Sequence, residues 1–91
     1  MIYFNREMEH AINEIAFFQF EVIIMSWLDK DMLFTDEEIE QFKKIYDEFA
    51  EKYNSLDHDT REDYAYIADD YRTVRNRIHQ QLRQREQFNK T

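Results

Sequence analysis

The stretch from Ile15 to Leu28, which reads IAFFQFEVIIMSWL, constrains this chain more than any other segment. With the residues before it, it repeats apolar side chains at spacings of three and four, the period of an α-helix. One line comprises Met8, Ala11, Ile15, Phe18, Val22 and Met25. A second line, on nearly the opposite side, comprises Phe17, Phe20, Ile24 and Trp27. Because each line needs a partner surface, this helix is expected at the centre of a bundle or in an oligomer interface.

The chain is short and lacks the residues that make sharp turns. Its 91 residues are enough for one domain, residues 1–91, with one modest core. There is no glycine, proline or cysteine, which removes the usual means of making left-handed turns, phosphate-binding loops and disulfides. Long helices with polar connectors are therefore expected. A strand within the central stretch is the competing interpretation, because Phe, Val, Ile and Trp also favour strands.

The pattern predicts three helices, at about residues 5–28, 36–53 and 60–88. Asn5 is a plausible N-cap for the first, and Asp59 or Thr60 for the third. The second has the clearest start, since Thr35 and Glu38 have the spacing of a capping box. The predicted fold is all-α, a three-helix antiparallel bundle completed by homodimerisation. The residues predicted at the protein interface are Phe17, Phe20, Ile24 and Trp27.

No catalytic or metal-binding pattern withstands inspection. Glu7 and His10 have the spacing of di-iron helices, but such sites need a second motif of this kind and further inward carboxylates. The acids between Asp29 and Glu40 resemble a calcium loop, yet Phe34 stands where that loop requires glycine. No glycine-rich turn can present a nucleophile or an oxyanion hole. We therefore expect no enzyme activity, no metal and no cofactor.

The charges are unevenly distributed along the chain. The net charge is −8, but residues 1–71 carry −13 and residues 72–91 carry +5. An acidic body disfavours a general affinity for nucleic acid or anionic lipid. Glu21 interrupts the apolar run, which is also short for a bilayer span, and no signal segment is evident. A cytoplasmic protein without a membrane partner is the expectation.

These features favour a small non-enzymatic adaptor or regulator that acts by binding another protein and that forms a homodimer. One alternative is an acidic mimic of nucleic acid that inhibits a DNA- or RNA-binding protein. Its surface would include Glu37, Glu40, Asp47, Glu48 and Glu51. A second alternative is a nucleic-acid binder that uses the Arg-rich last helix. Its basic surface would include Arg72, Arg75 and Arg83.

Overall fold

The computed structural model describes residues 6–89, and every element within that range is helical. The helices are α1 (Arg6–Leu28), α2 (Asp36–Asn54), α3 (His58–Asp63) and α4 (Ala65–Asn89). No strand occurs among these residues, so the all-α class is confirmed and the central stretch is helical. The expected start at residue 5, with Asn5 as its cap, lies outside the described residues.

The start of α2 has the predicted capping box. The Thr35 hydroxyl accepts a hydrogen bond from the Glu38 amide at 3.1 Å, and the Glu38 carboxylate accepts one from the Thr35 amide at 3.0 Å. The Lys30 ammonium also donates to this carboxylate. The hydrogen bonds from Lys30 and from the Thr35 amide lower the pKa of Glu38 from 4.5 to about 2. The carboxylate is therefore charged at neutral pH and joins the connector to the helix start.

Removing the Thr35 hydroxyl should destabilise the chain. Thr35→Ala leaves the Glu38 amide without its acceptor, and we expect a loss of about 1 kcal/mol in the free energy of unfolding. Thr35→Ser keeps the hydroxyl and is the matched control. Urea denaturation followed by circular dichroism measures both variants. Equal stability of Thr35→Ala and wild type would contradict this role of the cap.

The third helical segment begins earlier than predicted. The Asp57 carboxylate accepts a hydrogen bond from the Thr60 amide at 3.1 Å, so Asp57 is the N-cap of α3. The sequence-based choice of Asp59 or Thr60 is therefore wrong. A capping side chain must reach an amide two or three residues onward, and Asp57 satisfies that requirement for a helix that starts at His58.

The predicted third helix is also interrupted at Tyr64, so the described chain has four helices instead of three. The Arg61 carbonyl accepts hydrogen bonds from the Tyr64 amide at 3.1 Å and from the Tyr53 hydroxyl at 3.3 Å. These contacts close a tighter turn at the end of α3. At this interruption the Tyr64 ring is buried and stacks on the Phe17 ring, with centroids 4.3 Å apart. A local change in hydrogen bonding thus divides the predicted third helix into α3 and α4.

Helices α1 and α4 run in the same direction. Phe17 contacts Tyr64 just before α4 begins, and further along both segments Arg77 donates a hydrogen bond to the Leu28 carbonyl at 3.0 Å. Residue numbers thus increase together along the contact. The first half of α1 precedes the first of these contacts, and the last three turns of α4 follow the second.

Helix α2 runs in the opposite direction to α1. The Trp27 ring near the end of α1 lies 5.2 Å from Phe42, and the earlier Phe20 ring lies 5.4 Å from Phe49. Because α2 also contacts α4 through aromatic side chains, one core joins the three long helices. Its buried members are Phe17, Ile24, Phe34, Ile39, Phe42, Phe49, Tyr64, Ile67, Ala68, Tyr71, Val74 and Ile78.

A single amide side chain holds the first connector against α4. The Phe34 amide donates a hydrogen bond to the Gln81 carbonyl oxygen at 2.9 Å, and the Gln81 amide group donates to the Phe34 carbonyl at 2.8 Å. Gln81 is the buried polar side chain of the described residues. It satisfies both backbone groups of a buried position, as buried polar groups require.

Replacing this amide should cost more than replacing its exposed neighbour. Gln81→Leu preserves bulk but leaves two backbone groups of Phe34 without partners, and we expect a loss of about 2 to 4 kcal/mol. Gln80→Leu is the control, with an expected change within about 0.5 kcal/mol. Chemical denaturation measures both. Similar effects of the two substitutions would show that the Gln81 bonds do not hold the connector.

Candidate interaction surface

The four residues predicted at the interface lie on the side of α1 that faces the core. Phe17 and Ile24 are 0% exposed, and Phe20 and Trp27 are partly buried against the same core. For Phe17 and Ile24 the prediction is corrected, because side chains of the same chain already cover them. Phe20 and Trp27 are covered only in part. The sequence could not separate the two lines of α1, since both have helical spacing.

The other line of α1, with Ile12 beside it, forms the exposed apolar surface. It runs for more than four turns along the side of α1 that faces away from α2 and α4. We call it the α1 face, and its large apolar side chains are between 44% and 65% exposed. They are Met8, Ile12, Ile15, Phe18, Val22 and Met25.

The edge of the α1 face next to α4 is acidic. Glu14 lies 3.0 Å from the exposed His10, and Glu21 accepts a hydrogen bond from the Tyr66 hydroxyl at 3.0 Å. Desolvation and the Glu21 carboxylate raise the pKa of Tyr66, so its hydroxyl stays protonated and continues to donate. These residues and Phe18 line a shallow groove of about 380 Å³ between α1 and α4.

The acidic residues singled out in the sequence are all exposed on α2. They are Glu37, Glu40, Asp47, Glu48 and Glu51. Glu40 has a cation within reach, Lys43 at 3.5 Å, and both side chains are largely solvated. A contact of this kind between exposed groups contributes little to stability. The carboxylates therefore remain accessible to an approaching partner.

The three arginines singled out in the sequence have different environments. Arg72 pairs with Asp69 at 3.0 Å and is exposed. Arg75 is half-buried, donates to the Tyr46 hydroxyl at 2.9 Å and lies over the Tyr46 ring. Arg83 is exposed. Because Arg75 holds α4 against α2, the three side chains do not form one open basic surface.

A smaller apolar patch lies where the first connector meets the end of α4. Met32 and Leu33 in the first connector are 79% and 73% exposed, and Phe88 near the end of α4 is also exposed. A groove of about 560 Å³ runs between this connector and α4. Its cations are already engaged, since Lys30 pairs with Glu38 and Arg77 bonds the Leu28 carbonyl.

Residues 6–89 do not bring together a group of three or more histidines and carboxylates that could hold a metal ion. Glu7 and His10, the pair with di-iron spacing, lie on the exposed side of α1. They line a shallow groove with Asp57 and Asp59 from the second connector and α3.

By length and composition, the segment Glu7–Leu28 of α1 is long and apolar enough to cross a membrane, which differs from the expectation that this run is too short. Among residues 6–89 it is the one helix of this kind, and 11% of its most apolar 18 residues are buried. Core helices of soluble proteins and signal sequences have the same length and apolar character.

Comparison of the chain with protein-family models, with curated proteins and with solved structures finds no match.

The two lines of α1 should respond differently to truncation. Phe17→Ala removes a fully buried ring and should lower the free energy of unfolding by about 3 to 5 kcal/mol. Phe18→Ala removes an exposed ring and should change it by no more than about 0.5 kcal/mol. Urea denaturation at low protein concentration measures both without a contribution from association. A larger loss for Phe18→Ala would contradict the observed orientation of α1.

Proposed function

We propose that this protein is a small, non-enzymatic helical adaptor or regulator that acts by binding another protein through the α1 face. The observation that carries this proposal is the continuous exposed apolar line of that face. Soluble monomers rarely expose a large contiguous apolar patch unless it is an interaction site. A cytoplasmic location, expected from the sequence, belongs to the same proposal.

The finer architecture expected from the sequence is also part of this proposal. We count α3 and α4 as one helical segment that is interrupted at Tyr64. Together with α1 and α2, this segment makes a three-helix antiparallel bundle. The alternating directions of α1, α2 and α4 support it. Homodimerisation would cover the line of α1 that the chain itself leaves exposed.

The acidic mimic is the second candidate, because all five carboxylates named for it on α2 are exposed. Rows of accessible carboxylates can occupy the phosphate sites of a nucleic-acid-binding protein. The nucleic-acid binder has less support. Arg75 is half-buried and engaged with Tyr46, so the three arginines do not offer one continuous set of cations to phosphates.

A comparison of three purified proteins tests the proposed function. Wild type, Phe18→Glu and Met32→Glu are immobilised and exposed to an extract of the native host, and retained proteins are identified and then purified for direct calorimetric titration. The first substitution places a charge in the α1 face. The second places a charge at an equally exposed apolar residue elsewhere and is the matched control.

We expect a partner that binds wild type and Met32→Glu but loses at least tenfold in affinity for Phe18→Glu, a difference of about 1.4 kcal/mol. Equal binding to all three proteins would overturn the role of the α1 face. If reversal of Glu37, Glu40, Glu48 and Glu51 to lysine abolishes binding while Phe18→Glu does not, the acidic mimic is the better description. Salt-sensitive binding of duplex DNA by wild type would favour the nucleic-acid binder.

A further inference from the structure

We infer that the α1 face pairs with the α1 face of a second copy of this chain, parallel and in register, as a two-stranded coiled coil. This inference rests on the proposed function and narrows it, because it makes a second copy of this chain, in place of a different protein, the partner of the α1 face. It goes further by specifying the orientation, the residues that meet and the residues that border them.

The exposed line has the heptad spacing of a coiled-coil seam. Residues 8, 15 and 22 occupy a positions, and residues 11, 18 and 25 occupy d positions, so the repeat of 3.5 residues holds for two and a half heptads. Ile15 and Val22 are β-branched residues at a, the choice that favours parallel two-stranded pairing. The sequence therefore has a register in which the face matches itself.

The charges beside the seam select the parallel orientation. The g positions are acidic, with Glu14 and Glu21 next to the exposed line, and the e positions carry Ile12, Gln19 and Ser26. In a parallel pair each g residue meets an e residue of the other copy, so Glu14 meets Gln19 and Glu21 meets Ser26. An antiparallel pair would place Glu14 against Glu21 at both ends, which like charges oppose.

The exposed area is close to what a stable dimer needs. The six large apolar side chains expose on the order of 600 Å² together, taking roughly 150 to 200 Å² for a large side chain. A standard interface buries about 800 Å² from each partner, and the bordering polar residues can supply the difference. The helix is already folded against α2 and α4, so pairing does not require the ordering of an unfolded segment.

A lipid surface fits this face less well than a second copy. Helices that bind in the plane of a membrane combine an apolar face with Lys and Arg on its borders. Here the g border carries Glu14 and Glu21, which an anionic leaflet repels. Insertion across a bilayer would also withdraw the buried rings of α1, including Phe17, from the core of the chain.

The experiment combines mass measurement with cysteine crosslinking of the full chain, which has no native cysteine. Light scattering at micromolar concentration should give twice the chain mass of 11.4 kDa for wild type and for Met32→Glu. Phe18→Glu should give the monomer mass with an unchanged helical spectrum. Because Phe18 is exposed, loss of the dimer by this variant would not follow from unfolding.

Crosslinking then determines the orientation. Val22→Cys should form a covalent dimer on mild oxidation, because position 22 meets its own copy in a parallel pair and a disulfide needs Cα atoms within about 7 Å. In an antiparallel pair position 22 meets position 11, so only a mixture of Val22→Cys and Ala11→Cys would crosslink efficiently. That second result would overturn the parallel orientation.

Other outcomes separate this inference from the proposed function. Wild type that remains monomeric at all concentrations overturns the inference. If the monomer still binds a different protein and loses it on Phe18→Glu, the proposed function stands. Monomeric wild type that sediments with phosphatidylcholine and phosphatidylserine vesicles, and does so less when Phe18 is Glu, would overturn both and assign the α1 face to lipid.

Discussion

The packing of the chain depends on Tyr71, which lies where α1, α2 and α4 meet. The residue is 0% exposed, and its hydroxyl donates a hydrogen bond to the Phe20 carbonyl at 2.8 Å. Its ring stacks on Phe49 with centroids 4.5 Å apart. Burial raises the pKa of Tyr71 above its ordinary value of 10, so the hydroxyl remains a donor at any physiological pH. One side chain thus satisfies its own polar group and fixes the separation of three helices.

That arrangement explains why α1 is divided into a buried and an exposed side. Two neighbouring helices cover Phe17 and Ile24 completely, and no further helix in residues 6–89 lies over the opposite side. The connectors between the helices are short and α3 has only six residues. As a result, α2 and α4 pack on the same side of α1. The exposed line is therefore a consequence of fitting an all-round apolar helix into a chain with only two long partners for it.

Local signals were readable from the sequence, whereas choices made by packing were not. The capping box of Thr35 and Glu38 was predicted correctly, because both hydrogen bonds form within four residues of chain. The break at Tyr64 was missed, because it depends on a hydroxyl from Tyr53 and a ring from Phe17. The candidate surface was misplaced for the same reason. Periodicity shows that α1 has two apolar lines, but only the positions of α2 and α4 determine which line is covered.

The structure shows which groups the arginines near the end of the chain contact. Arg77 donates to the Leu28 carbonyl, at the end of a helix that has no glycine to close it. Arg85 pairs with Asp36 at the start of α2 at 3.0 Å, and Arg75 lies over Tyr46. Arg77 and Arg85 lie near the ends that α1 and α2 leave open, and Arg75 contacts the middle of α2. Arg75, Arg77 and Arg85 thus hold α4 to other parts of the same chain, which weakens the interpretation of this basic end as a surface for phosphates.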